Sequence, residues 1–459
     1  MNISDYIDKV NALNRDSGRI YRYSSKTFGC QMNENDSERI AGILEEMGYV
    51  YEEDIEKSDL IFYNTCCVRQ SAEEKTFGWV GSLKKLKEEN KDLIICLVGC
   101  MTEQSQVVEK IKRSYPYVDI VLGTNDHIDL PLKIFQKRIR SGFDLSVNNN
   151  SEGSTEIPYI VRSDPYRAYV TIMRGCNNYC SYCIVPYVRG REASREKKDI
   201  LTEIRELADK GYKEITLLGQ NVNSYGSDLG SKDGFSGLLY DICKIDNIGR
   251  IRFMTSHPKD LSDSLIQAVS ELDQVCDHIH LPLQSGSTKV LADMNRCYTK
   301  GSYLDLVDRI KARIPDITLT SDIIVGFPTE TEKDFEDTLD VISKASFDNS
   351  YMFIYSKRLG TKAAEIKEEL DEKTVKERFS RLLQLQNDIS YRMNRKMIGK
   401  TYEVLVEGKS KNNDSMLTGR TEGNKLVHFS GDDKLAGMLV PVRIDEIKSF
   451  SVEGTLINE

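Results

Sequence analysis

Apolar positions recur along this chain with two periods, and the alternation between them outlines its organisation. From about residue 20 to 140, short apolar runs ("IYRYSSKTFGC", "DLIFYNTC", "DLIICLVGC", "VDIVLGT") are separated by stretches of helical spacing. One of these, "NDSERIAGILEEMG", opens on Asn and Asp as candidate helix caps. Strands alternating with helices predict a parallel sheet with helices on its faces. Residues 1–19 read as an N-terminal extension, and 141–161 as a linker whose centre, "SVNNNSEGST" (146–155), has turn composition.

Between 162 and 392 the strand–helix theme repeats six times, with candidate strands "YVTIMRGC", "EITLLGQNV", "IRFMTSHP", "HIHLPLQSGS", "ITLTSDIIVGFP" and "NSYMFIYS". Six such units predict an incomplete barrel, open on one side, in place of the eight of a closed one. Most of these strands run into polar, Gly- or Pro-containing ends ("GQNVNSYG", "SHP", "QSGS", "GFPTE"), where such folds carry their chemistry. A long amphipathic helix, "EKTVKERFSRLLQLQNDISYRMNRKM", leads into 395–459. There, short strands separated by Gly, Asn and Asp predict a small OB-like β-barrel. The fold class is α/β: an N-terminal parallel sheet domain, a central incomplete barrel and a C-terminal β-barrel.

Composition adds limits. With 39% hydrophobic and 29% charged residues in 459, the chain reads as an ordinary soluble protein. The polar start "MNISDYIDKVNALNRDSGRI" lacks a signal-peptide core, and no apolar run reaches membrane-spanning length. A cytoplasmic location is expected, where eleven cysteines are not disulfides but core fillers, metal ligands or catalysts. A net charge of −9 gives no sign of a nucleic-acid binder, so any RNA contact must rest on a local basic surface. Residues 395–459 hold ten Lys/Arg and ten Asp/Glu, so the remainder carries the whole negative excess.

The cysteines change the picture most. "RGCNNYCSYCIVPYVRGREASR" sets Cys176, Cys180 and Cys183 in a loop after the first barrel strand. Three thiolates hold three irons of a cubane and leave the fourth iron free for a substrate or cofactor; a purely electron-carrying cluster usually has four cysteines. A zinc site would need a fourth ligand, and the nearest following histidine is His257. Cys30, Cys66 and Cys100 each close a predicted strand ("KTFGC", "YNTC", "LVGC"). Parallel strands end on the same edge of a sheet, so these three are expected to converge where open α/β sheets bind ligands. Cys67 neighbours Cys66 and competes with it as a ligand, Cys96 reads as core, and Cys243, Cys276 and Cys297 read as structural.

"CNNYCSYC", with Tyr182 before its last cysteine, resembles the motif of radical S-adenosylmethionine enzymes. More narrowly, the chain from about Tyr21 onward resembles the radical methylthiotransferases. The matching pieces are "TFGCQMNENDSE", "NTCCVR", "VGCMTEQ", the Arg174–Arg195 stretch, "SHPKDLSD", "HLPLQSGS", "DIIVGFPTET" and "GRTEGNKLVHF". "GCQMN" with "NTCCVR" points to the tRNA branch, which adds a methylthio group to carbon 2 of isopentenyladenosine beside the anticodon. The other branches act on threonylcarbamoyladenosine in tRNA or on a ribosomal protein side chain. A non-catalytic iron–sulfur RNA-binding sensor is the reading from a different class, and it gives no reason for an open iron.

The resemblance implies that Cys176, Cys180 and Cys183 bind a radical 4Fe–4S cluster, and Cys30, Cys66 and Cys100 an auxiliary 4Fe–4S cluster. It implies that one S-adenosylmethionine donates the methyl group and a second generates the radical. The C-terminal barrel then resembles a TRAM domain, an RNA-binding module. The implied partners are the tRNA anticodon arm, an electron donor such as a flavodoxin or ferredoxin, and a sulfur donor, with no membrane. The chain departs from the family where "YSKRLGT" (Tyr355 to Thr361) replaces a proline-rich segment, and where Cys66 is doubled by Cys67.

Around these centres stand further candidates. Arg189, Arg191 and Arg195 follow the radical motif, and Arg420 and Lys425 lie in "GRTEGNKLV"; all five are candidate RNA contacts. The strand-end residues Gln220, Asn221, Ser256, Gln284 and Asp322, together with Tyr182, are candidates for binding S-adenosylmethionine. Gly326 in "VGFPTE" reads as a backbone requirement. His278 and His280 alternate within a strand and read as structural.

Overall fold

The computed structural model describes residues 3–67, 70–139, 144–145, 159–367, 370–411, 413–448 and 451–457. Most of the expected linker 141–161, including all of "SVNNNSEGST", lies outside them, as do Val68 and Arg69 of "NTCCVR". The chain forms two compact units, Met1–Ser163 with Ile184–Arg191, and Asp164–Cys183 with Glu192–Glu459.

The first unit runs α1 (Ile3–Asp16), β1 (Tyr21–Thr27), α2 (Gln31–Glu46), β2 (Tyr49–Tyr51), β3 (Leu60–Thr65), α3 (Gln70–Glu89), β4 (Ile94–Gly99), α4 (Ser105–Ser114), β5 (Ile120–Leu122), α5 (Leu130–Ile139) and β6 (Asp144–Leu145). Its strands form one sheet in the order β2-β1-β3-β4-β5-β6, parallel throughout. Every residue of β3 ("LIFYNT") and β4 ("IICLVG") is buried, as expected of central strands covered on both faces. Alternate residues feed two cores: Leu60 and Phe62 enter one, Ile61 and Tyr63 the other. Ile7 and Val10 of α1 are buried in the first, so residues read as an extension are part of this fold. The stretch Ile184–Arg191, with the short α6 (Val185–Val188), places Ile184 and Val188 in the second core.

The second unit holds the six expected barrel strands: β7 (Arg167–Thr171), β10 (Glu214–Leu218), β11 (Arg250–Phe253), β12 (His278–His280), β13 (Thr318–Val325) and β14 (Asn349–Ile354). A small pair, β8 (Met173–Arg174) and β9 (Ala193–Ser194), flanks the cysteine loop. The helices are α7 (Lys197–Asp209), α8 (Gly234–Ile242), α9 (Asp263–Glu271), α10 (Thr288–Asp293), α11 (Lys300–Arg313), α12 (Glu332–Ala345) and α13 (Glu372–Arg395). The strands form two parallel three-stranded sheets, β11-β10-β7 and β12-β13-β14, linked by an Ile251–Val275 bridge. Ala168, Val170, Ile215, Leu217, Ile251, Phe253 and Ile279 pack in the core against the helices. Strand alternation therefore gives Arg167, Glu214, Arg250, Arg252, His278 and His280 to the other face.

Residues 401–456 make a closed barrel in the order β15-β16-β17-β19-β18, from β15 (Thr401–Ser410), β16 (Asn413–Thr421), β17 (Leu426–Phe429), β18 (Leu439–Ile447) and β19 (Ser451–Leu456). The turn between β16 and β17 reaches the N-terminal end of the incomplete barrel. Arg252 donates to the carbonyls of Thr421 (2.7 Å) and Glu422, and Arg250 to those of Arg420 (2.9 Å) and Glu403 (2.7 Å). Asp277 N donates to Glu422 Oε1 at 3.2 Å, and a Cβ on Gly423 would overlap the Thr318 side chain.

This docking gives the segment of two expected RNA contacts a structural part as well. Arg420 is paired with Glu407 at 2.9 Å, and Lys425 is half-buried near Asp348, where desolvation lowers its pKa. The GRTEGNK segment attaches the small barrel to the larger one.

Candidate metal centres

In the first unit, β1, β3 and β4 are neighbours, and a cysteine follows the end of each. Thr65 is in register with Gly99, so Cys66 and Cys100 leave adjacent strands side by side. Gly29 has φ +125°, and a Cβ there would lie 2.8 Å from Cys66 Cβ, so the turn into Cys30 packs directly on Cys66. Asn33, in the first turn of α2, fixes this edge. Its Nδ2 donates to Asn64 Oδ1 (2.9 Å) and Thr65 O (3.0 Å), while its Oδ1 accepts from the Cys30 thiol (3.4 Å) and from Arg189 (3.3 Å). The pattern brings Cys30, Cys66 and Cys100 to one sheet edge.

Arg189 departs from its expected place. It was a candidate phosphate contact, but its side chain is only 6% exposed and pairs with Asp36 at 3.0 Å. Burial opposes its charge, but Cys100, which it hydrogen-bonds, and Asp36 outweigh this and keep it protonated; Cys30 acts in the same sense. The Cys100 thiol is drawn down to about 7, chiefly by a hydrogen bond with Cys67 and, against the effect of burial, by Arg189. Cys67 is thus a neighbour of Cys100, deeper in the same core.

In the second unit the loop carrying Cys176, Cys180 and Cys183 is strapped from several sides. Ser181 N donates to Met294 O (2.9 Å), Ser181 Oγ to Asp293 O (2.8 Å), and Asn295 Nδ2 to the carbonyls of Asn178 (3.1 Å) and Tyr179 (3.0 Å). Ala363 N donates to Ser181 O at 2.8 Å, and Tyr182 packs with Val290, Met294, Phe327 and Ala363. The sulfurs receive donors: Asn178 Nδ2 lies 3.4 Å from Cys176 Sγ, and Arg296 NH1 lies 3.5 Å from Cys180 Sγ. Arg296 is buried and also donates to Pro282 O at 3.0 Å. Its pairing with Cys180 cannot be read from "MNRCY", since the partner is 116 residues away.

The donor sets suit iron–sulfur clusters. All six cysteines are free thiols, three to a set, and each set has a buried guanidinium against one sulfur to offset the negative charge of thiolates. Among the described residues no three His, Cys, Asp or Glu side chains are grouped around a single metal ion. In a cubane each thiolate takes its own iron.

The candidates for S-adenosylmethionine divide. Gln220 Oε1 and Ser256 Oγ are buried without a hydrogen-bond partner among the described residues, and so are both amide atoms of Asn223, which sequence reasoning missed. Unpaired polar atoms beyond β10 and β11 suit a polar cofactor. Asn221 does not join them, because its amide is used at both ends: Nδ2 donates to Asp260 at 2.7 Å and Oδ1 accepts from His257 N at 3.2 Å. Gln284 is buried in a left-handed conformation, φ +65°, and Asp322 Oδ2 lies 3.4 Å from His280 Nε2. Arg195 is also accounted for locally, donating to Thr171 O and Glu203 at 2.7 Å each, which corrects its reading as an RNA contact. Arg191 is exposed. Among the described residues no helix is long and apolar enough to cross a membrane.

Three family descriptions match the chain: the Radical SAM superfamily over 170–342, the uncharacterized protein family UPF0004 over 22–123, and the TRAM domain over 395–457. Among solved structures, the radical S-adenosylmethionine methyltransferase TsrM from Kitasatospora setae, with cobalamin and a [4Fe-4S] cluster bound, superposes with a TM-score of 0.55. That match is 14% identical over 75% of this chain and 77% of the other, and it shows a shared fold. Curated relatives are far closer. The tRNA-2-methylthio-N(6)-dimethylallyladenosine synthase of Acetivibrio thermocellus is 52% identical over 456 residues, covering 98% of this chain and 95% of the relative. The enzyme of the same name from Carboxydothermus hydrogenoformans is 51% identical over 435 residues, 94% and 98% of the two chains. On this identity along nearly its whole length, the chain belongs to the family of tRNA-2-methylthio-N(6)-dimethylallyladenosine synthases.

Proposed function

We propose that this protein transfers a methylthio group to carbon 2 of N6-dimethylallyl (isopentenyl) adenosine in tRNA, using two 4Fe–4S clusters and S-adenosylmethionine. The observation that carries this reading is the pair of three-thiol sets, each with its buried arginine, in a chain half identical to synthases of that name. Cys30, Cys66 and Cys100 would hold the auxiliary cluster, and Cys176, Cys180 and Cys183 the radical cluster. A reduced cluster held by Cys176, Cys180 and Cys183 would supply one-electron chemistry for cleaving S-adenosylmethionine and for hydrogen abstraction from an unactivated C–H bond.

The chain's own residues do the positioning. Arg296 holds a positive charge against Cys180 and ties it to the Pro282 carbonyl, so the loop and the barrel strand end move as one. Gln220, Asn223 and Ser256 offer unpaired polar atoms for the amino acid and ribose groups of the cofactor, with Gln284, Asp322 and Tyr182 as further candidates. Asn221 fixes the β10 and β11 ends through Asp260 and His257 and so acts as a positioning residue. The anticodon arm is the substrate element, with a flavodoxin or ferredoxin as the kind of electron donor and a sulfur donor besides; the setting is cytoplasmic.

The test is nucleoside mass spectrometry after an anaerobic reaction of reconstituted protein with reductant, S-adenosylmethionine and isopentenylated tRNA lacking the methylthio group. Methylthio-isopentenyladenosine together with 5′-deoxyadenosine is expected. Formation of 5′-deoxyadenosine with no modified nucleoside would overturn the substrate, and threonylcarbamoylated tRNA and ribosomal protein would be assayed next. Absence of both products would overturn the radical reading.

A further inference from the structure

With Arg420 paired to Glu407 and Lys425 half-buried near Asp348, the C-terminal barrel has few free cations to offer RNA. Lys409 pairs with Asp433, Arg443 with Asp445 and Lys448 with Glu446, all within 2.9 Å. Lys411 and Lys434 stand singly on separate turns.

The junction between α13 and β15 is different. The stretch 389–402, "ISYRMNRKMIGKTY", contains Arg392, Arg395, Lys396 and Lys400 and no acidic residue. All four are exposed, and no ion pair holds them among the described residues; Lys396 Nζ touches only Met393 Sδ, at 3.5 Å. Lys311 of α11 is close enough to Lys396 to feel its charge. Two large side chains in the same stretch are also open to solvent, Tyr391 at 56% and Ile398 at 46% exposure.

Positions 391, 392, 395 and 396 fall within one face of about 140° at 3.6 residues per turn. Tyr391 and Arg395 are one turn apart, as are Arg392 and Lys396. Cations in the last turn of a helix also complement its dipole. That accounts for neither Lys400, beyond the helix, nor the exposed tyrosine.

We propose that Tyr391, Arg392, Arg395, Lys396 and Lys400 form a tRNA-docking surface, in which the cations meet backbone phosphates and Tyr391 stacks on a base or sugar. The proposal rests on the tRNA reading above and places a second point of contact on the enzyme. At 24 residues, α13 is about 36 Å long. Arg378, near its start, binds Glu330 beside the strand end of β13, whereas Ser390, near its finish, bonds Asp348 O at the start of β14. The basic face therefore lies at the barrel end away from the radical cysteines. A long polyanion such as a tRNA arm can span that distance, whereas an acidic electron-transfer protein must approach the cluster itself.

The test compares the reconstituted full-length protein with an R392Q/R395Q/K396Q variant for tRNA binding by fluorescence anisotropy, over a series of salt concentrations. The variant is expected to bind about tenfold or more weakly, with a log–log salt slope shallower by about two to three. Its KM for tRNA should rise while kcat holds. R392K/R395K, which keeps the charge, should retain the wild-type slope, and K409Q/R443Q, which removes paired cations, should retain wild-type affinity. Wild-type affinity and slope in the triple variant, from protein that still forms the methylthio nucleoside in its wild-type form, would overturn this surface and leave the function standing. If wild-type protein neither binds nor modifies tRNA, both fall. A triple variant with normal tRNA binding but impaired reduction by an acidic electron-transfer protein would assign the patch to that partner and overturn the proposal.

Discussion

Arg189 and Arg296 share an arrangement that neither sequence position announces: each is buried, and each places its guanidinium against one sulfur of a three-thiol set. A neutral side chain at either place makes the surroundings of the thiolates one unit more negative, and iron–sulfur clusters in more negative surroundings are harder to reduce. Arg296→Gln is therefore expected to shift the radical cluster to a more negative midpoint potential with iron content retained, measured by a redox titration followed by electron paramagnetic resonance. An unchanged potential would limit Arg296 to strapping the loop. The doublet Cys66–Cys67 allows a second prediction. Register places Cys66 beside Cys100 and the glycine turn places it beside Cys30, whereas Cys67 points into the core that holds Cys100. Cys66→Ala should therefore lower bound iron to roughly half, one cluster of two, while Cys67→Ala keeps it near the wild-type level. Iron analysis after reconstitution decides between them, and the reverse pattern would exchange their roles.

The β16–β17 turn is the element whose use was least legible. Arg252 lies 2.9 Å from the Glu214 carboxylate, both nearly inaccessible, and also binds the Thr421 and Glu422 carbonyls. Removing it leaves a buried carboxylate unpaired, so Arg252→Ala should destabilise the protein by about 3–5 kcal/mol in urea unfolding. Gly423→Val should loosen the same contact by driving a side chain into Thr318, read as faster proteolysis of the C-terminal barrel. The strands themselves could be read from the sequence. The six strands of the incomplete barrel and the five of the small barrel are short apolar-containing runs bounded by turn residues. β2 and β6, at three and two residues, are too short to show a period. The gathering of Cys30, Cys66 and Cys100 at one sheet edge was legible because repeated strand ends marked it, and the loop of Cys176, Cys180 and Cys183 because of its contiguous spacing. The docking part of "GRTEGNK" was hidden for a physical reason: charged residues in a turn look alike whether water or Arg252, some 170 residues earlier, donates to their carbonyls. Asn223 escaped for a similar reason, since only the structure shows that its amide has no partner among the described residues.

At the scale of the whole molecule, the buried histidines set an acid limit. Burial first, then Arg252, lowers the His278 pKa to about 3, and burial first, then Arg296, lowers that of His257 to about 2. Between the ordinary value of 6.5 and these, the unfolded chain binds protons that the folded one does not. Stability is therefore fully present above about pH 6.5 and is lost as pH falls below it. The urea midpoint should drop between pH 7 and 5.5, less steeply in His278→Gln; a flat profile would show that these rings protonate in place. The second whole-molecule feature is the course of the chain. Ile184–Arg191 belongs to the first unit although it is encoded after the first barrel strand and the radical cysteines. On the ribosome, the N-terminal domain therefore cannot complete its core, or bury Arg189 beside Asp36 and Cys100, until residue 191 has emerged. A gene cut at the linker would yield a domain lacking its own arginine. The two domains are thus bound to be made, and inherited, together.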